Sequence, residues 1–180
     1  MNSRAYFLAA LLLPLIAARA EDPAKFEVGG LSFQRPAEWG WVPVTSSMRK
    51  AQLKVPGSEG QQPAEITFFH FGQGSGGDVP GNAKRWLAQF RSPEGVAKTE
   101  PQEIAGTKVT VVTTEGTFSS GMPGGPTTPM ENYALLGAII ETAQGNVFVK
   151  MTGPSAVVKG AHKQFMNFIT TAVSSRASEK

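Results

Sequence analysis

The sequence predicts an α+β fold: a mostly antiparallel sheet of about six to seven strands packed by two amphipathic helices, as an α/β/α sandwich. Three observations carry that prediction. Residues 132–142 and 147–152 form two apolar runs joined by the polar turn Ala143-Gln144-Gly145-Asn146. In the first run Tyr133, Leu135, Gly137 and Ile139 share one face and Ala134, Leu136, Ala138 and Ile140 the other. A strand apolar on both faces is covered on both faces. In the second run Val147, Val149 and Met151 share a face, while Phe148 shares the opposite one with Lys150 and Thr152. Next, Pro154 suits a first helical position, and Val158, Ala161, Phe165, Phe168, Ile169 and Ala172 recur at three- and four-residue spacing, one stripe on a helix. Finally, the order along the chain is strands, helix, strands, helix, with short turns between neighbouring strands, which favours antiparallel pairing.

The remaining elements follow in order. Residues 26–28 and 31–33 are short strands around Gly29-Gly30; Pro36 ends regular structure, and residues 41–44 are extended or an edge strand. In 48–55, Ala51, Leu53 and Val55 alternate with Gln52 and Lys54, a half-exposed strand. After a polar loop at 56–63, residues 65–71 (EITFFHF) are apolar on both sides. A glycine-rich loop covers 72–81. Asn82 is placed to cap a short helix with Ala83, Trp86, Leu87 and Phe90 on one face. Residues 98–104 and 107–115 form a hairpin around Ala105-Gly106, and 116–131, dense in Gly, Pro, Ser and Thr, is a second loop. Residues 174–180 are expected to fray.

The first 20 residues have the three parts of a secretory signal peptide: Arg4, an apolar segment over 8–17, and Ala18-Arg19-Ala20 before Glu21. Export with cleavage between Ala20 and Glu21 is expected, to a periplasmic or extracellular location. A membrane anchor fits less well, because the apolar run falls short of ~20 residues and Pro14 interrupts it. The domain plan is then 1–20 signal peptide, 21–173 a single α+β domain, and 174–180 a disordered tail. The chain has no cysteine, so disulfides and thiol chemistry are excluded and the domain relies on its core. Cleavage removes Arg4 and Arg19, leaving 15 basic against 14 acidic residues, a formal charge of +1. That balance argues against nucleic acid as a partner. No later segment is apolar enough to span a bilayer as a helix.

The chemical motifs are weak. Gly72-Gln73-Gly74-Ser75-Gly76-Gly77 matches the dinucleotide fingerprint, but Asp78-Val79-Pro80 intervenes where the helix should begin, and no parallel strand with an acidic ribose ligand follows. His70 and His162 are the two imidazoles, without metal-ligand spacing between them, and there is no G-x-S-x-G. Trp39 and Trp41, near Arg35 and Arg49, would make an aromatic and cationic patch for a sugar, peptide or acidic group; the plainer reading has both indoles capping the end of the sheet. Met122, among Gly121, Pro123, Gly124 and Gly125, suits adaptable contact with a partner.

Leu31-Ser32-Phe33 leading to Pro36-Ala37-Glu38-Trp39, the long central hairpin, and Gly153-Pro154 before a final helix with Phe165 resemble the fold of the PsbP-type extrinsic proteins of photosystem II and their Ran-binding nuclear-import relative. The loop 116–125 followed by Leu135-Leu136-Gly137-Ala138 and by Phe148-Val149-Lys150-Met151-Thr152-Gly153-Pro154 is similar to an uncharacterised exported bacterial protein family. The resemblance implies an antiparallel sheet between helices and a binding or accessory role. It carries no catalytic residue onto this chain. The functional expectation is therefore an exported non-enzymatic domain that binds a protein or small-molecule ligand, using Trp39, Trp41, Arg49, His70 and Met122, with no cofactor. The alternatives are a hydrolytic or metal-dependent enzyme centred on His70 and a structural envelope component.

Overall fold

The computed structural model describes residues 22–120 and 128–178. Near its start, β1 (Lys25–Val28) and β2 (Leu31–Gln34) form a separate two-stranded hairpin around Gly29 and Gly30, whose positive φ angles of 59° and 73° suit glycine. The chain continues through β3 (Gly40–Trp41), β4 (Arg49–Val55), β5 (Ala64–His70), α1 (Val79–Leu87), β6 (Phe90–Arg91) and β7 (Lys98–Ile104). It ends with β8 (Thr107–Ser120), β9 (Thr128–Ile140), β10 (Val147–Pro154) and α2 (Ser155–Ser178). The main sheet runs β3-β4-β5-β10-β9-β8-β6, with β7 also paired to β8, and each pairing is antiparallel. Two of its eight strands, β3 and β6, have only two residues each.

The two-faced run is covered as its alternation requires. Leu136, Ala138, Ile140, Val147, Val149 and Met151 are buried with α2 residues Phe165, Phe168 and Ile169. Leu135, Ile139 and Phe148 are buried on the other face with Ala83 and Trp86 of α1. The β1–β2 hairpin shares the α2 side, where Leu31 and Phe33 are fully buried. So the three layers are α1, the sheet, and α2 with the N-terminal hairpin.

Several local expectations are corrected. Asp78, not Asn82, caps α1: its carboxylate accepts the Gly81 N–H at 2.8 Å. Asn82 lies inside the helix, buried, and its amide donates to the carbonyls of Gly76 and Asp78. Pro80 in the first turn explains the shift, since it lacks the N–H that position leaves unused. Phe90 leaves the helix and pairs with Phe118 in the sheet. Pro154 closes β10 opposite Tyr133 instead of opening α2. Helix α2 continues to Ser178 rather than stopping at 173, since no Gly or Pro interrupts 174–178 and Ser175 Oγ donates to the Thr171 carbonyl. Residues 116–120 and 128–131, expected as loop, are strand, pairing Phe118 with Met130, Ser119 with Pro129 and Ser120 with Thr128. The β8–β9 register shifts between Gly116 and Phe118, and Asn132 has a positive φ of 57°, so this hairpin arm is re-aimed where it leaves the sheet. The signal-peptide segment 1–20 and Met122 lie outside the described residues.

Candidate functional site

Helix α1 has nine residues and covers only part of its face of the sheet. On that face, cross-strand register sets Gln52, Thr67, Lys150 and Gly137 in one row across β4, β5, β10 and β9. Glu65 and Thr152 pair in the next row. Beyond the helix, Thr67, Lys150, Glu65 and Thr152 line a cleft of 490 Å³ together with Arg49, Phe69, Gln89, Phe118 and Tyr133. The re-aimed hairpin arm supplies Phe118 and Met130, which is what makes the surface concave.

Lys150 is the electrostatic centre of this cleft. Its ammonium donates to Gln89 Oε1 and lies 5.5 Å from the centroid of the Phe118 ring. Gln89 is held by its own backbone at the end of α1: its N–H donates to the Trp86 carbonyl and its carbonyl accepts from Ser119 N–H at 2.8 Å. Burial holds the Lys150 amine down at about 8, with Glu65 opposing that shift and Arg49 adding to it. Glu65 is already engaged: Arg49 lies at 3.2 Å from Oε1, and Gln52 donates to Oε2 at 2.6 Å. Among the described residues the ion pairs are Arg49–Glu65 and Lys159–Glu115, and Lys150 belongs to neither. The Phe118 and Tyr133 rings are stacked, 6.0 Å between centroids at an interplanar angle of 8°, and form one wall.

The structure disperses most of the residues singled out from the sequence. Trp39 is 1% exposed and packs on Phe168 in the α2-side core. Trp41 is half-buried against Phe26, 5.2 Å between centroids, on that same side. The Arg35 guanidinium is occupied by the backbone carbonyls of Pro23, Trp39 and Asp22. Arg49 lies on the opposite face, in the cleft, so no aromatic–cationic patch forms around the two tryptophans. His70 is half-buried beside Gly29, and its Nε2 donates to the Gln144 carbonyl at 3.0 Å, which fixes that nitrogen as the protonated one. It clasps two turns and does not line the cleft.

A smaller cleft of 310 Å³ between β7, β8 and α2 contains Glu100, Glu115 and His162. There Glu115 accepts from Ser155 at 2.7 Å and pairs with Lys159 at 2.6 Å; these partners hold its carboxyl below the usual range. Among the described residues no group of three His, Cys, Asp or Glu is placed to hold a metal ion. Among the same residues, no helix is long and apolar enough to cross a membrane.

Sequence reasoning singled out Arg49 and placed Lys150 only as a face-mate of Phe148 and Thr152, and it missed the cleft that joins them. Their proximity depends on the β5–β10–β9 register and on the bend near Gly116, which no local pattern announces.

No protein-family model matches the sequence, and neither does any curated protein. Among solved structures, the chain is similar to the solution structure of cyanobacterial PsbP (CyanoP) from Synechocystis sp. PCC 6803. The identity is 10% and the TM-score 0.50, over 87% of this chain and 96% of that one. It is also similar to PA94, a Pseudomonas aeruginosa protein of unknown function, at 12% identity and TM-score 0.48, over 82% of this chain and 93% of that one. The chain therefore has the PsbP-like fold, an α+β sandwich built on a large antiparallel sheet.

Proposed function

We propose that this protein is an exported, non-enzymatic binding domain that receives a small ligand in the Lys150 cleft. One observation carries the reading: a half-buried ammonium without a carboxylate partner among the described residues, set in an aromatic-walled cleft. Burying a charge is costly unless it is paired, and the cost is recovered when a ligand supplies the pair. The signal-peptide pattern at 1–20 supports export. His70 supports catalysis poorly, because its donor nitrogen is committed to Gln144 and it lies outside the cleft.

The test is to load the exported form with an envelope extract, wash it, denature it and identify the released small molecules by mass spectrometry. Enrichment on wild type but not on Phe118→Ala or Lys150→Met is expected. Identical recovery from all three forms would remove the cleft from the function. Fusing residues 1–25 to a reporter that is active only outside the cytoplasm tests export; an inactive reporter contradicts it.

A further inference from the structure

The chemistry of the cleft specifies its ligand more narrowly than its shape does. Its charged lining groups are Arg49, Glu65 and Lys150. Arg49 and Glu65 neutralise each other at 3.2 Å, and Gln52 strengthens the carboxylate's side of that pair. What remains is one positive charge, on Lys150. An ammonium has three donors, and Gln89 takes one. The Phe118 ring offers its electron-rich face to the same group. Neither neighbour neutralises it.

A ligand with a single negative charge matches this arrangement. A doubly charged phosphate would carry excess charge into a cleft that already holds Glu65. The wall beside the charge is the Phe118–Tyr133 stack, nearly parallel at 8°, and Phe69 adds a third aromatic residue to the lining. Aromatic lining of this kind favours a planar, apolar partner. A cleft of 490 Å³ is within the range that takes small molecules and is too small for a folded partner.

We propose that the Lys150 cleft binds a small monocarboxylate with a flat apolar body, its carboxylate on Lys150 Nζ and its body against Phe118 and Tyr133. This rests on the reading of the cleft as the binding site. The ion pair forms where Nζ already lies, and charge-assisted hydrogen bonds of this kind are about twice as strong as neutral ones. Selectivity follows from the half-buried ammonium: a neutral analogue leaves it unpaired, and a cationic one adds repulsion.

The experiment is an amide NMR titration of the exported form with cinnamate, with cinnamamide as its neutral counterpart, and with inorganic phosphate. Cinnamate is expected to shift the amides of Phe118, Tyr133 and Lys150 saturably, with cinnamamide at least tenfold weaker and phosphate without effect there. Lys150→Met, and Lys150→Gln as a second variant, should each weaken cinnamate at least tenfold without weakening cinnamamide. Equal affinity for cinnamate and cinnamamide would overturn the carboxylate assignment while leaving the cleft a binding site. Stronger binding of phosphate at these residues would replace the ligand class. Absence of cleft shifts with all three probes would overturn the inference, and recovery of molecules from extract would still decide the broader reading separately.

Discussion

The Trp86 indole occupies the space in which a side chain on Gly137 would stand. A Cβ built on Gly137 would overlap Cζ3 of the indole and lie 2.8 Å from Cε3. Helix α1 is therefore docked by one bulky residue over one bare backbone position, next to Lys150 in the cross-strand row. Gly137→Ala should destabilise the protein by ~1–3 kcal/mol through overpacking. In a Trp86→Ala background the same change should cost almost nothing, because the clashing ring is gone. Urea unfolding of the four forms gives the coupling; strict additivity would contradict this packing.

Trp39 makes the contrasting case of an aromatic residue that supports the core. It is buried against Phe168, so Trp39→Ala should cost ~3–5 kcal/mol. Where the variant still folds, binding in the cleft should survive. A Trp39→Phe variant that stays fully stable but loses ligand would place the site elsewhere.

At the start of α1, Asp78→Ala removes the acceptor for Gly81 N–H and should cost ~1 kcal/mol. Asn82→Ala strips two carbonyls of a donor at a buried position and should cost about 1–3 kcal/mol, more than the cap itself. Thermal unfolding of both variants checks the order. An Asn82→Ala cost below that of the cap would show that the two amide hydrogen bonds of Asn82 do not hold this turn, and a neutral Asp78→Ala would remove Asp78 as the cap.

The fold was legible because its strongest signals are local. The alternation in β9 and β10 fixed two covered faces, and the spacing of Val158, Phe165 and Ile169 fixed the stripe of α2; all three are buried. The site was not legible in the same way. Lys150 meets Gln89 across 61 residues, and Arg49 meets Glu65 across 16, so only register and topology bring them to one cleft. Trp39 and Trp41 left two readings open, a surface patch and a structural role at the end of the sheet; Trp39 fills the α2-side core, on the structural side. Glycine and proline density marked 116–131 as loop, although a β-bulge and Asn132 let part of it continue as a paired arm.

Lys150 also links the cleft to stability. Its amine is held at about 8 by burial, against 10.5 for an ordinary lysine. Between those values the unfolded chain binds a proton that the folded chain does not, so stability rises with pH across that window. The rise is about 3 kcal/mol for this group. Lys150→Met should be more stable than wild type near pH 7 by ~1–3 kcal/mol, after the loss of the Gln89 and Phe118 contacts. Its advantage should shrink as pH approaches 10. A pH-independent difference would show that Lys150 does not carry a buried charge.

The neighbouring charges should move the same amine in opposite directions. Glu65→Gln removes the charge that raises its pKa, and Arg49→Gln removes one that lowers it. The first variant should titrate below wild type and the second above. Both should change folding stability by less than ~1 kcal/mol, since the Arg49–Glu65 pair is partly exposed. Shifts in a common direction would mean that neither group acts on Lys150 through its charge.

The decisive observation is the titration of the Lys150 side chain in the ligand-free protein, followed by NMR of its Cε and Nζ nuclei, with Lys150→Met assigning the signal. A midpoint near pH 8 is expected, moving upward when a carboxylate occupies the cleft. A midpoint at the ordinary lysine value, unmoved by any anion, would mean that this amine is solvated and that the cleft is not organised around an unpaired charge.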